Sequence, residues 1–464
     1  MFDKNVYKSR REALMKSQLK GIAVFPANDE ASCNYPDNTY HYRQDSNFAY
    51  FFGLDHPNLV GVIDFDKGEE VLFGEEVTID TIIWCGPQPS LEEQAESVGV
   101  KTTKDINRFG EFVRDAVEKG RTVHILPPYR GDMKICLARW FDINICDLEH
   151  FVSQALIEEV VKLREVKSDV EIAEMEIAAQ TAYRMHTTAM KMCKPGVVEQ
   201  EISGTIEGIA IAAGGMVSFP NIVSVNGQTL HNHGHKNILR EGRMLVVDAG
   251  AETENYYASD FTRTTPVGGK FNQRQKEIYE IVLKANMEVA AKTKPGMKYM
   301  VMHTLAARTI IEGLNAVGLM KGDIDEAVVA GAHYLFMPHG LGHMLGMDVH
   351  DMEGLGEDNV GYDNAIHRSS QQGFSCLRCG KTLKPGFVVT DEPGIYFIPA
   401  LIDKWKAEGK HTDFINYDAV EKYKDFGGIR IEDDLLITAD GNRILGPGIP
   451  KTVKDVEDFC LGNI

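Results

Sequence analysis

The chain has 464 residues, a net charge of −19 and 43% hydrophobic residues, enough for two or three domains with real cores. The acidic balance and the lack of a long basic run exclude nucleic acid as a partner, since phosphates demand a Lys/Arg patch. No apolar run approaches the ~20 residues of a membrane span, and the opening MFDKNVYKSRREALMKSQL holds no apolar signal core. The eight cysteines lack framework spacing, so the expectation is a cytoplasmic protein with reduced thiols and no membrane contact.

In chain order, GIAVFPA (21–27), LVGVIDF (59–65), EVLFGE (70–75) and TVHILP (122–127) are short β-rich apolar runs separated by polar amphipathic segments. They predict an α/β domain over residues 1–165. A second domain over 166–464 starts where Ser168 and Glu171 take the spacing of a capping box. Met175, Ala178, Ala179, Ala182, Met185 and Ala189 then recur at helical spacing, and the helix must stop at Lys194-Pro195-Gly196.

That pattern occurs twice. A helix over 168–193, Lys194-Pro195-Gly196, a helix over 197–213 and Gly214-Gly215 are followed by strands. A helix over 273–292, Lys294-Pro295-Gly296, a helix over 298–316 and Gly318 repeat the plan about a hundred residues on. Two such units, each feeding strands, predict two half-domains facing each other around a shared site.

The strand Leu245–Val247 ends on Asp248, and Asp260 sits at the start of a second strand past a turn at Glu254-Asn255. Such a hairpin sets the two aspartates side by side, where they repel unless a cation or proton intervenes. Glu392 follows the apolar run Phe387–Val389. In GGIRIEDDLLIT (427–438), Arg430 and Glu432 share one strand face and Ile429 and Ile431 the other. A carboxylate so placed is buried and needs a partner.

The stretch HGLGHMLGMDVHD (339–351) holds three histidines, but Gly340, Gly342 and Gly346 oppose a helix. Gly340 also occupies the place where H-E-x-x-H needs its glutamate. Two aspartates, two glutamates and a histidine form a hard donor set suited to Mn²⁺, with Co²⁺, Fe²⁺ or Zn²⁺ tolerated. Four carboxylates balance two divalent cations, which together can activate a water near neutral pH. Cys376 and Cys379 form a lone C-x-x-C, short of a structural zinc site. His303, His333 and His367 have no motif context. Gly380-Lys381-Thr382 lacks the first glycine of a P-loop, and Gly340-x-Gly342-x-x-x-Gly346 misses the dinucleotide fingerprint.

Together VVDAG, SDFTRT, PHGLGHMLGMDVHD, TDEPGIYF and GIRIEDD resemble the proline-specific metallopeptidases of the pita-bread fold, aminopeptidase P and prolidase. The likeness covers nearly the whole chain, and YHYRQDSNFAYFFGLDHP (40–57) is similar to the aminopeptidase P amino-terminal domain. It implies an α/β N-terminal domain and an α+β pita-bread catalytic domain with an internal pseudo-two-fold repeat. By the resemblance, Asp248 binds one metal, Asp260 and Glu432 bridge both, and His343 and Glu392 bind the other. His339, His350 and His231 face the substrate, with His233 and His235 beside the last. Arg430 orients carboxylates, and Glu392 also shuttles the proton to the leaving nitrogen. The implied cofactor is two Mn²⁺, and the partners are small proline-containing peptides and further copies of the chain in a homodimer or larger homo-oligomer.

Two departures stand out. Asp248 and Asp260 are twelve apart where the family usually has one fewer, which an extra turn residue or a bulge would absorb. The segment 353–382 is longer than in the tightest relatives, consistent with a flap beside the site. The YRQDSNF stretch favours aminopeptidase P, which removes the first residue of Xaa-Pro-peptides. Prolidase, which splits Xaa-Pro dipeptides, is the alternative, and a non-catalytic binding relative of the same fold a remote one, since all five ligands are present. Methionine aminopeptidase shares the metal set but not the long N-terminal domain.

Overall fold

A computed structural model describes residues 1–463. The chain forms two compact units: Met1–Arg164 with Gly354–Asn359, and Glu165–Glu353 with the chain from Val360 onward.

The first unit is built on a five-stranded sheet, in the order Thr102–Asp105, Glu69–Gly74, Val60–Asp64, Ile22–Pro26, Val123–Ile125. Its outer pairs are parallel and its inner pairs antiparallel. The four apolar runs supply four of these strands. Ile22, Val24, Val60, Val62, Val71 and Phe73 point from them into a core completed by Phe109, Val113, Leu137 and Phe141. The fifth strand, TTKD, is largely exposed and lacks the apolar alternation that marks a half-buried strand. Only its pairing with Glu69–Gly74 reveals it.

The second unit carries the helix-pair repeat. Its first pair is Asp169–Met192 and Glu199–Ala212, its second Gln273–Lys292 and Tyr299–Ala316. The turn inside each pair uses a left-handed glycine after proline, Gly196 at φ +93° and Gly296 at φ +84°, a conformation costly for any residue with a Cβ. At the first helix start, one Glu171 oxygen accepts from the Ser168 N–H at 2.9 Å and hydroxyl at 2.6 Å. Its other oxygen accepts from the Tyr257 hydroxyl at 3.0 Å, tying the helix to the hairpin between Asp248 and Asp260.

Each helix pair feeds a three-stranded sheet. The first runs Phe261–Pro266, Met244–Ala249, Ile222–Ser224, and the second Val388–Asp391, Asp433–Ile437, Asn442–Ile444. A bridge between Thr262 and Glu432 joins the halves. The aspartate hairpin keeps a constant register from Met244↔Pro266 through Ala249↔Phe261 to Glu252↔Ala258. It therefore contains no bulge, and the twelve-residue spacing closes in the tip, where Tyr256 takes φ +67°.

The segment 353–382 opens with a 3₁₀ turn, Glu353–Leu355, and a short helix, Glu357–Gly361. Further on it binds itself, the Tyr362 hydroxyl donating to the Leu377 carbonyl at 2.6 Å. It ends in a bridge from Thr382 to Lys298. Cys376 and Cys379 are free thiols. Among the described residues no helix is long and apolar enough to cross a membrane.

Candidate metal centre

Asp248, Asp260, His343, Glu392 and Glu432 line one cavity of about 230 Å³ in the second unit, with His231, His233 and His350 beside them and Phe219, Pro220, Ile222 and Val349 as apolar walls. Asp260, His343 and Glu432 bring ligand atoms within 4.8 Å of one another. Each side chain is delivered by a backbone the sequence makes rigid. Asp248 lies in a fully buried strand. The Asp260 N–H donates to Asp434 at 3.0 Å. Glu392 and Glu432 hang from N–H bonds to the Leu341 carbonyl at 2.9 Å and the Thr262 carbonyl at 3.1 Å.

The glycines around His343 now have a reason. A Cβ at Gly342 would lie 2.0 Å from the Thr390 carbonyl oxygen, so only glycine lets this loop press on the strand before Glu392. The His343 N–H donates to Thr390 Oγ1 at 3.1 Å. Its Nδ1 donates to the Met344 carbonyl at 3.0 Å, which leaves Nε2 as the bare nitrogen a metal requires. That Nε2 lies 3.4 Å from Asp260 and 3.7 Å from Glu392.

Arg430 organises the other side. One terminal nitrogen bonds Asp248, the other donates to the Tyr396 hydroxyl at 2.8 Å, and Nε donates to Thr262 Oγ1 at 3.1 Å. Thr262 in turn donates to Glu432 Oε2 at 2.6 Å. Since His339 Nδ1 donates to the Gly340 carbonyl at 2.8 Å, its Nε2 accepts from Tyr396 at 3.0 Å. A single proton order thus runs Arg430 to Tyr396 to His339. His339 Nδ1 is also 3.7 Å from Glu392.

The charges are poised for a cation. Burial, then the neighbouring carboxylates, hold Asp260 and Glu432 well above the carboxylate range. Burial and Asp248 push Glu392 up to about 8 against the pull of Arg430. Burial and the Arg430 charge bring His339 down to about 3, and the same causes lower His231. Asp248 Oδ1 and Asp260 Oδ1 are buried with no hydrogen-bond partner among the described residues. Leaving such acceptors unmatched costs several kcal/mol. An oxygen-rich set of this kind fits hard divalent ions.

Of the nine residues given roles from sequence, seven line this cavity, Arg430 bonds Asp248, and His339 lies 3.7 Å from Glu392. Sequence reading passed over Tyr396, Thr262, Thr390, Asp434 and the apolar wall. Tyr396 and Thr262 sit inside quoted motifs, but their partners lie 34 to 170 positions away. His235 turns aside, donating to the Asn221 carbonyl at 3.1 Å.

Comparison with known proteins agrees with this geometry. Residues 173–439 match the model of metallopeptidase family M24, and residues 7–125 that of the aminopeptidase P N-terminal domain. Human Xaa-Pro dipeptidase is 32% identical, with 96% of this chain and 90% of that protein covered. A probable Xaa-Pro aminopeptidase of Sordaria macrospora is 33% identical over 91% and 87%. Among solved structures, proline aminopeptidase P II of Yersinia pestis superposes with a TM-score of 0.82 at 29% identity, both chains fully covered. Pseudomonas aeruginosa aminopeptidase PepP gives 0.81 at 30%, covering 99% and 98%. The chain belongs to metallopeptidase family M24, a hydrolase that joins an aminopeptidase P-type N-terminal domain to a pita-bread catalytic domain.

Proposed function

We propose that the protein is an Xaa-Pro aminopeptidase, hydrolysing the bond between the first residue and proline at the N-terminus of small peptides. Residues 1–165 are the N-terminal domain and 166–464 the catalytic one. The observation that carries this reading is the convergence of four acids and the bare Nε2 of His343 on one cavity. Solved structures of E. coli aminopeptidase P, in complex with substrate in one case and zinc-substituted with product in another, share the fold at a TM-score of 0.81 and 29% identity.

In this scheme Asp248, Asp260, His343, Glu392 and Glu432 would hold two Mn²⁺, replaceable by Co²⁺, Zn²⁺ or Fe²⁺. When bound, such ions lower the pKa of a water and polarise the scissile carbonyl. Glu392 takes the proton of the attacking water and passes it to the imino nitrogen of the leaving proline. His350 and His231 steady the carbonyl and the developing oxyanion; His339, expected from the resemblance to share that task, has both ring nitrogens engaged by Gly340 and Tyr396 and stands beside the site without a free N–H. Arg430 holds Asp248 in place and fixes Tyr396, which fixes His339. Phe219, Pro220, Ile222 and Val349 offer the apolar surface a pyrrolidine ring needs. The enzyme acts in the cytoplasm as a homodimer or larger homo-oligomer.

A second reading is prolidase, because four mammalian Xaa-Pro dipeptidases are 32–33% identical over 96% of the chain. The two share their chemistry and differ in the room allowed beyond the proline. A side-by-side assay of Gly-Pro and Gly-Pro-Leu with added MnCl₂ separates them. Tripeptide cleavage alone supports the aminopeptidase, dipeptide cleavage alone replaces it with prolidase, and turnover of neither overturns both.

A further inference from the structure

His350 has its own buttress, and it comes from the long segment 353–382. The imidazole packs against His343 with ring centroids 4.1 Å apart and lines the cavity. A single tilted contact, with 51° between the ring planes, leaves rotation of the imidazole about its Cβ–Cγ bond open. That rotation is closed by Glu353, whose Oε2 lies 3.0 Å from His350 Nδ1. A carboxylate oxygen only accepts here, so Nδ1 is the donor and Nε2 is the nitrogen left for other work.

Glu353 is itself fixed from both sides. Its N–H donates to the His350 carbonyl at 3.2 Å, which makes carboxylate and ring parts of one tight turn. Its Oε2 also accepts from an Arg378 terminal nitrogen at 2.6 Å. The three side chains are only 21–36% exposed. Burial alone would raise the Glu353 carboxyl, but the hydrogen bond and charge of His350 together with Arg378 bring it down to about 2, so the acceptor is ionised across the working range. Nothing in the proposed chemistry uses Glu353. It is not among the cavity-lining residues, though its charge is felt at His343.

The geometry points to Glu353 as the positioning residue of His350, holding Nδ1 so that Nε2 is presented to the peptide, with Arg378 bracing the carboxylate from the far end of the same segment. The inference rests on the reading of His350 as a substrate-facing group. It gives the segment 353–382 a part in the reaction that a surface flap would not have.

The purely structural alternative is that Glu353 and Arg378 staple a loop. A staple of partly exposed charges contributes about 0–1 kcal/mol and acts independently of His350. A positioning carboxylate acts only through it, and losing one typically costs about 10–100-fold in activity. The test measures kcat, KM, manganese content and Tm for Glu353→Ala, Glu353→Gln, His350→Ala and the Glu353→Ala/His350→Ala pair, on whichever of Gly-Pro and Gly-Pro-Leu is turned over. Glu353→Ala should lower kcat about tenfold or more, with KM changed less than threefold and metal content at the wild-type level. Glu353→Gln, whose amide oxygen still accepts from Nδ1, should recover most of that loss. In the His350→Ala background the Glu353 substitution should cost nothing further.

A Glu353→Ala variant with wild-type kcat beside a crippled His350→Ala overturns the positioning role alone. So does a Glu353 effect equally large with and without His350. A His350→Ala variant with wild-type kcat removes the role given to His350 in the reaction, and the positioning role with it.

Discussion

Asp260→Asn should make the metal-free protein more stable while abolishing its response to metal. In the cavity the ligand oxygens of Asp260 and Glu432 lie within 4.8 Å. Two unit charges at that distance repel by about 3.5 kcal/mol at an effective dielectric of about 20. The native chain already relieves part of this by retaining protons, as the raised Asp260 and Glu432 carboxyls indicate. Replacing one acid with an amide therefore frees about 1–2 kcal/mol, a rise of roughly 2–4 °C in Tm for a catalytic unit of this size. The amide can also donate to one of the carboxylates it formerly repelled. Thermal unfolding at pH 8 in EDTA reads this directly. With MnCl₂ at a hundred times Kd, the wild-type protein should gain about 2.7 kcal/mol, and Asp260→Asn almost none. A variant that melts below wild type in EDTA, or gains as much from manganese, refutes the electrostatic reasoning.

Glu432→Gln should lose manganese and peptidase activity together while far-ultraviolet circular dichroism stays unchanged; full turnover without metal would refute the ligand assignment. His303 and His333 are buried, and burial first of all pulls them down to about 4 and about 3. Below pH 6.5 the unfolded chain binds protons there that the native state refuses, so stability falls as pH drops from 6.5 toward 4. At pH 5 the cost is about 2 kcal/mol per histidine, from 1.36 kcal/mol for each of the ~1.5 units below the unfolded value. Urea unfolding of His303→Gln/His333→Gln should show a flatter loss between pH 7 and 5, and an unchanged slope would contradict this. Lys167 and Asp351 form an ion pair with both side chains 1% exposed. Lys167→Met should therefore cost about 3–5 kcal/mol in denaturant unfolding, and Lys167→Met/Asp351→Asn should recover much of it; a loss below 1 kcal/mol would show the pair to be dispensable.

The acids that the fold brings to one cavity were legible in the sequence because each sits at a local signal. Asp248 and Glu392 follow apolar strands, and the alternation Ile429, Arg430, Ile431, Glu432 declares which face is inward. The helix pairs were legible for a similar reason, since periodicity and Lys-Pro-Gly stops are local. What stayed hidden depends on partners distant in sequence. Thr262 matters because it stands between Arg430 and Glu432, and nothing in SDFTRT announces that. Tyr396 looks like an ordinary strand aromatic until Arg430 and His339 arrive at its hydroxyl. Glu353 reads as the edge of a polar loop, and only the fold brings Arg378 back to it across 25 positions. The strand Thr102–Asp105 failed differently. At a sheet edge it buries little, so it leaves no hydrophobic imprint.

The bridge from Thr262 to Glu432 spans 170 positions, and it sets an order of events in the cell. A chain leaving the ribosome exposes Asp248 and Asp260 long before Glu392 and Glu432 have been made. Two carboxylates on a lone hairpin grip a transition ion too weakly to keep it from competing chelators, because affinity comes with the folded cage. If these residues hold metal as proposed, ion capture waits until the chain has reached Glu432, and a product terminated before Glu392 lacks two of the four acids the cage needs.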